Sequence, residues 1–168
     1  MIEYRGCRTR LLYAIGASLC GVVLASGQAA PPTALTAALR ARVKDERFEI
    51  VTSIRGLPLG VRDELETLFG SSTLDIAEPG AEFRITDKIT NPQLPSRRLV
   101  AAGCSIAYCL VYYERGGSSH TWHVALFHWT PAATRFEWGG TAPAGLAAIG
   151  DVRNAVLSGA IKGSAGPW

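Results

Sequence analysis

The sequence lacks the short motifs that accompany most catalytic and metal-binding sites. Its three histidines form neither an H-x-H nor an H-E-x-x-H pattern, and its cysteines form no C-x-x-C pair. It also has no G-x-S-x-G element, the turn that presents the serine nucleophile of many hydrolases. The sequence therefore predicts no catalytic residue, no bound metal and no cofactor.

A basic surface is lacking as well once the N-terminus is set aside. The chain has 17 Lys and Arg against 14 Asp and Glu, a net charge of +3. Residues 1–29 hold three of those arginines and one of the glutamates, so the remainder has 14 basic and 13 acidic residues. This balance offers no polycationic patch, and we exclude nucleic acid as a partner.

The N-terminal residues are typical of a secretory signal peptide. Arg5, Arg8 and Arg10 precede an uncharged stretch over residues 11–26, and small residues stand where a signal peptidase would cut. We predict cleavage after Ala29, with cleavage after Gly27 as the alternative. Retention as a membrane anchor is the competing interpretation, but the stretch is shorter than the ~20 residues that a spanning helix needs. We expect an exported protein, periplasmic or secreted, with no membrane span after cleavage.

The remaining 139 residues suit a single domain with one core. We place this domain at residues 30–159 and a flexible tail at residues 160–168, in which only Trp168 is a candidate for docking. The order of predicted elements is typical of an α+β fold. Short helices would pack on an antiparallel sheet, a meander built around a hairpin at residues 109–129.

Apolar spacing and capping residues locate the predicted helices. The first covers residues 30–45 with Thr33 as its N-cap, and the second runs from Pro58 to a stop at Gly70. The third lies within residues 143–158, with Asp151 as its N-cap and Gly159 as its stop.

Alternating apolar residues predict the strands. Outside the hairpin they fall at residues 47–54, 81–87, 99–102 and 134–139, with a break over residues 103–108 before the hairpin begins. The first of these could instead continue the helix before it. In the last, Phe136 and Trp138 are expected to share a face, because they are two residues apart.

The hairpin Cys109–Trp129 turns at Gly116-Gly117-Ser118-Ser119. Pairing about this loop predicts Tyr113 beside Trp122 and Val111 beside Val124 on one face. The other face would carry Leu110, Tyr112, His123 and Phe127. Both faces are apolar enough to be covered, which indicates a central pair of strands.

Periodicity also separates the histidines. His120 and His123 differ by an odd number of residues, so they face opposite sides of a strand, while His120 and His128 lie ~27 Å apart. No two of them can bind one ion. We expect His120 to be solvated beside the loop and His123 to lie in a core or groove.

Cys104 and Cys109 are the only cysteines after residue 29. In an exported protein such a pair is usually oxidised, and a tight loop over residues 105–108 would bring the two close enough for a disulfide. We therefore predict a Cys104–Cys109 disulfide. Two buried free thiols, or a reactive thiol, are the alternatives.

Aromatic residues are concentrated in and around the hairpin. One interpretation is the core of a small sheet, and the other is a partly covered face that binds a protein, a peptide, a glycan or a second copy of the chain. We predict a non-enzymatic binding domain with five candidate contact residues: Tyr112, Tyr113, Trp122, His123 and Trp129.

One enzymatic alternative is a small cysteine-dependent hydrolase. The predicted register places Cys109 across from about Leu126, on the same face as His128. A Cys–His pair of this kind needs direct hydrogen-bond contact and an orienting partner. Diagonal neighbours across two strands lie ~7–8 Å apart at the backbone, so the register allows the contact without requiring it.

Overall fold

A computed structural model describes residues 33–88 and 91–168. The predicted signal peptide, residues 1–29, lies outside these ranges. The helices are α1 (Ala37–Asp45), α2 (Leu59–Phe69) and α3 (Ile149–Ser158), with one 3-10 turn at Ile54–Gly56. The strands are β1 (Glu49–Val51), β2 (Arg97–Cys104), β3 (Tyr108–Arg115), β4 (Thr121–Trp129), β5 (Thr134–Ala142) and β6 (Lys162–Gly163). None of the helices in these ranges is both long and apolar enough to cross a membrane.

The six strands form one antiparallel sheet in sequence order, β1 to β6. Helix α2 covers one face, where Val61 and Leu65 pack with Leu99, Val111 and Phe127. Helices α1 and α3 cover the other face, where Val43 and Val152 pack in a core with Tyr112, Leu126 and Trp138. The predicted α+β fold is confirmed, and the hairpin β3–β4 lies at its centre with both faces buried.

The predicted ends of the helices are partly correct. Helix α2 follows Pro58 and ends at Gly70, whose φ of 64° places it in the left-handed region that glycine enters at little cost. Helix α1, however, begins after Thr36 and not Thr33, because the Thr36 hydroxyl accepts the Leu39 amide. The N-cap of α3 is Ala148, which places Asp151 inside the first turn.

Two predicted strands differ from the structure. The strand expected over residues 47–54 shortens to β1, and a 3-10 turn follows it. Residues 81–87 form no strand, although Phe83 is buried. The Arg84 amide donates to the Pro95 carbonyl, and the Gly117 amide, in the β3–β4 loop, donates to the Ile85 carbonyl. In the part of the chain that the structure describes, residues 81–87 join no strand ladder, and the segment forms a loop despite its alternating pattern.

The predicted hairpin register is wrong by one residue. Arg115 pairs with Thr121, so the loop has five residues and includes His120. Tyr113 therefore lies opposite His123, and Tyr112 lies opposite Val124. Because side chains alternate between faces, one added loop residue moves every β4 side chain to the other face.

A bulge in β5 reverses another prediction. Leu126 pairs with Trp138 while the next residue, Phe127, pairs with Phe136, so Glu137 is the additional residue. Phe136 consequently packs on the α2 face and Trp138 in the core beneath α1 and α3. The two aromatic residues do not share a face.

Residues 160–168 follow a defined path in the structure. Lys162 and Gly163 pair with Thr141 and Gly140 as the edge strand β6. The chain then crosses to the α2 face, where Trp168 packs against Phe136. The sequence suggested docking for Trp168 alone, and the structure adds an edge strand.

Candidate functional site

The structure buries three of the five candidate contact residues. Tyr112, Tyr113 and His123 are each less than a twentieth exposed, and their side chains lie in the two cores of the sheet. They have no surface to offer a partner in this conformation. Trp122 and Trp129 are half-buried and remain candidates.

Trp129 ends β4 and lines two surface clefts. The first cleft, about 530 Å³, extends toward the β2–β3 turn and is lined by Glu46, Arg47, Glu49, Gly56, Pro58, Cys104, Ser105, Ile106 and Trp129. The second, about 340 Å³, extends toward α2 and the β4–β5 turn and is lined by residues 58–60, Asp63 and residues 129–134. Trp129 and Pro58 contribute to both. We call this pair of clefts the Trp129 surface.

Backbone contacts fix the orientation of the Trp129 ring. Its Nε1 donates to the Ser105 carbonyl at 3.1 Å, and its amide donates to the Ala107 carbonyl at 2.9 Å. Ser105 is in turn held by the tight β2–β3 turn, where its amide donates to the Tyr108 carbonyl at 2.7 Å. The indole is therefore held by the neighbouring hairpin and does not rotate freely.

The predicted cysteine pair lies at the base of the same turn. Cys104 and Cys109 are opposite one another in the ladder, with Cα atoms 4.1 Å apart and sulfur atoms at disulfide distance, 2.11 Å. The tight turn over residues 105–108 brings them together, as the sequence predicted. This cross-link braces the turn that supports Trp129.

The structure does not assemble the alternative Cys–His pair. Cys109 pairs with Phe127 and is buried on the α2 face. His128 pairs with Tyr108, the neighbour of Cys109, and its ring packs edge-on against the Tyr108 ring at 5.2 Å. Cys109 and His128 thus lie on opposite faces, because the register differs by one residue from the predicted one.

Apolar and acidic side chains surround the Trp129 surface. Ile106, at the tip of the β2–β3 turn, is 89% exposed, and Leu59, in the first turn of α2, is 64% exposed. Three carboxylates, Glu46, Glu49 and Asp63, line the clefts against the single cation of Arg47. The sequence did not indicate this site, because its residues come from four separate segments.

Trp122 belongs to a different cluster at the opposite end of the sheet. Its ring stacks on His120 at 4.4 Å, and His120 Nε2 lies 2.8 Å from a carboxylate oxygen of Glu114. Arg98 holds the other oxygen of this buried carboxylate at 2.6 Å. Arg98 also donates to the carbonyl of Ala81, so the cluster fastens the long loop before β2 to the hairpin. His120 is exposed, as predicted, but the sequence did not reveal its contacts with Glu114 and Trp122.

His123 is buried on the α2 face. Its Nε2 lies 2.8 Å from the Thr121 hydroxyl, and its ring stacks on Tyr113 at 5.4 Å. Burial, together with the positive charges of Arg115 and Arg97, lowers the pKa of His123 from 6.5 to about 4. His123 is therefore neutral in the folded protein near pH 7.

This burial predicts a loss of stability in mild acid. Between pH 6.5 and 4 the unfolded chain binds a proton at His123 that the folded chain does not, so the free energy of unfolding falls as the pH falls through this window. Urea unfolding at several pH values measures the effect. In the variant His123→Gln the free energy of unfolding should depend less on pH between 6.5 and 4. An equal pH dependence in the two proteins would contradict a neutral, buried His123.

Within the described ranges, no group of three or more His, Cys, Asp or Glu side chains is placed to hold a metal ion. No protein-family model matches the chain, and neither a curated protein nor a solved structure is significantly similar to it. The geometry of the site therefore has to carry the functional argument.

Proposed function

We propose that the protein is a non-enzymatic binding domain and that the Trp129 surface is its contact site. One observation carries the proposal: a tryptophan held by hydrogen bonds to the neighbouring hairpin lines two clefts, and each cleft is also lined by a strongly exposed aliphatic residue. Tryptophan held in this way supplies a large contact area at little entropic cost. Ile106 and Leu59 are costly to expose to water and are natural anchors for a partner.

The surface fits an extended segment of a partner protein. Two clefts that share Trp129 offer room for two apolar side chains, and a segment that crosses Trp129 would place one in each. The excess of carboxylates at the rim, from Glu46, Glu49 and Asp63, favours basic residues beside those side chains. A glycan is less favoured than a peptide, because the indole N–H that could donate to a sugar hydroxyl is already bonded to Ser105.

The cysteine pair supports a place of action outside the reducing cytosol. Disulfides persist in the periplasm and in the extracellular space, and Cys104 and Cys109 lie at disulfide distance. We propose an exported protein that meets its partner in such a compartment. Intact-mass analysis, with alkylation before and after reduction, tests the oxidation state and the start of the mature chain.

Trp129→Ala tests the contact surface. The probe is a library of nine-residue peptides with two apolar residues separated by Lys or Arg, measured by tryptophan fluorescence and titration calorimetry. We expect selected peptides to bind the wild type and to bind Trp129→Ala at least about tenfold more weakly, a loss of roughly 1.4 kcal/mol. Versions with Glu in place of Lys should bind less well, because the rim is acidic.

Trp122→Ala is the matched control, because Trp122 is a half-buried tryptophan at the other end of the sheet. It should bind the selected peptides as the wild type does. Equal affinity of Trp129→Ala and the wild type would refute the proposed surface. Fluorescence that responds only to neutral oligosaccharides would identify the partner as a glycan. Fluorescence that responds only to protein dilution would identify it as a second copy of the chain.

A further inference from the structure

Trp168 is inserted into the α2 face of the sheet at a distance from the Trp129 surface. Its ring packs edge-on against Phe136, at 5.3 Å, and against His123, at 6.1 Å. Beneath it lies Gly139 of β5, where an added Cβ would come within 2.7 Å of two carbon atoms of the indole. The missing side chain at Gly139 creates the space that the indole fills.

The backbone of Trp168 is recognised separately from its ring. Its carbonyl oxygen accepts a hydrogen bond from Nη2 of Arg97, and Arg97 is only 6% exposed. Arg97 is itself held in place, because its Nη1 bonds Asp75 at 2.6 Å and its guanidinium lies 4.0 Å from the centre of the Phe69 ring. A fixed, buried guanidinium is a specific recognition element for a carbonyl or carboxylate oxygen.

Two further polar atoms lie near this contact without a partner. Tyr113 Oη and His123 Nδ1 make no hydrogen bond to any residue in the ranges 33–88 and 91–168, although Tyr113 is fully buried and His123 is 4% exposed. The two rings stack on each other, and the Trp168 ring contacts His123. Buried polar atoms are rarely left unpaired, so these two are available to hydrogen-bond a ligand that enters beside them.

The segment that carries Trp168 has few other attachments. Beyond β6, the Ser164 amide donates to the Gly139 carbonyl at 3.0 Å. The remaining hydrogen bonds, between Ser164 and Gly166, are internal to the segment. Withdrawal of the ring would therefore disturb little of the sheet, while it would uncover Gly139, His123 and Arg97.

We propose that this is a binding pocket for an aromatic group that carries a carboxylate, and that Trp168 occupies it as an internal ligand. The ring of the ligand replaces the indole over Gly139 and against Phe136. Its carboxylate replaces the Trp168 carbonyl on Arg97, with Tyr113 and His123 as additional hydrogen-bonding groups. Two sources present this chemistry: a free aromatic acid and the C-terminal aromatic residue of a peptide.

Trp168→Ala tests the pocket by removing the internal ligand. The probes are N-acetyl-tryptophan and a hexapeptide that ends in tryptophan, each titrated by calorimetry. In the wild type a probe can bind only to the fraction of molecules whose Trp168 has left the pocket, which weakens its apparent affinity. We therefore expect at least about tenfold tighter binding to Trp168→Ala than to the wild type. Binding of the first probe identifies a free acid, and binding of the peptide alone identifies a chain terminus.

Changes in the ligand serve as controls and leave the protein intact. N-acetyl-tryptophanamide has a neutral amide in place of the carboxylate. It should bind at least about tenfold more weakly than N-acetyl-tryptophan, because Arg97 then has no negative charge to pair with. N-acetyl-alanine lacks the ring and should not bind. Trp122→Ala should bind the probes as the wild type does. Trp129→Ala should also bind them as the wild type does, so a failure of the pocket proposal can be told apart from a failure of the proposed peptide surface.

A measurement on the wild type guards against misfolding of the variant. Saturating N-acetyl-tryptophan should displace the tail and accelerate hydrogen exchange of the Ser164 amide, which is bonded to Gly139. No binding of either probe to folded Trp168→Ala, or equal binding of the acid and the amide, would overturn the proposal. So would unchanged exchange at Ser164 in the presence of the probe.

Discussion

Trp138→Ala is expected to lower the free energy of unfolding by about 3–5 kcal/mol, the usual cost of removing a fully buried tryptophan. Trp138 is 1% exposed and lies in the core between the sheet and helices α1 and α3. This core joins three strands of the sheet to both helices, so it cannot collapse into the space without moving a helix or a strand. In a domain of this size the change corresponds to a fall in Tm of roughly 10 °C. Thermal and urea unfolding measure both quantities.

Trp138→Phe is the informative control. The Trp138 Nε1 has no hydrogen-bond partner among residues 33–88 and 91–168, so phenylalanine loses volume but no hydrogen bond. We expect a loss of about 1 kcal/mol or slightly more. If the alanine variant were no less stable than the phenylalanine variant, Trp138 would not be the core residue that the structure makes it.

Arg97→Met is expected to cost about 3 kcal/mol of stability. Burial lowers the pKa of the guanidinium, an effect that the charge of Asp75 opposes, and the ion pair at 2.6 Å keeps the buried cation compensated. Removing the cation leaves the Asp75 carboxylate without its counter-ion and the Trp168 carbonyl without its donor. Loss of one partner of a largely buried ion pair is costly, because the other charge stays desolvated.

Arg135→Met provides the same substitution at an exposed ion pair. Arg135 bonds Glu137 at 2.6 Å, but the arginine is largely in solvent. We expect a change of no more than about 0.5 kcal/mol. Urea unfolding of both variants decides the matter: equal losses would mean that the burial of Arg97 contributes nothing. Adding Asp75→Asn to Arg97→Met should restore part of the stability, since it removes the uncompensated charge.

The sequence located most of the elements because their signals are local. Pro58 and Gly70 bound α2 through backbone preferences that need no tertiary contact, and the turn at residues 105–108 was required to bring Cys104 and Cys109 together. Residues 81–87 show the limit of this reasoning. Alternation at Phe83 and Ile85 resembles a strand, but a strand needs a partner, and the sequence does not reveal that residues 81–87 join no ladder within the described ranges.

The candidate sites were much less accessible to sequence reasoning. Trp129 was named as a contact residue, but Pro58, Leu59 and Ile106 were not, since only the folded chain brings the start of α2 beside two hairpin turns. Tyr112, Tyr113 and His123 were named because aromatic residues mark both cores and binding faces. Composition alone does not separate these two roles, and the structure buries all three.

The sequence by itself determined the α+β class and the central position of the hairpin, because both follow from local periodicity. It also predicted the pairing of the two cysteines, from the expected export and a tight loop between them. Only the tertiary structure decided which face each side chain occupies. One additional loop residue, His120, and one bulge residue, Glu137, reverse the faces of β4 and of part of β5. Side chains alternate with a period of two, so an error of one residue in pairing leaves the fold intact and exchanges the side chains of the two covered faces of the sheet.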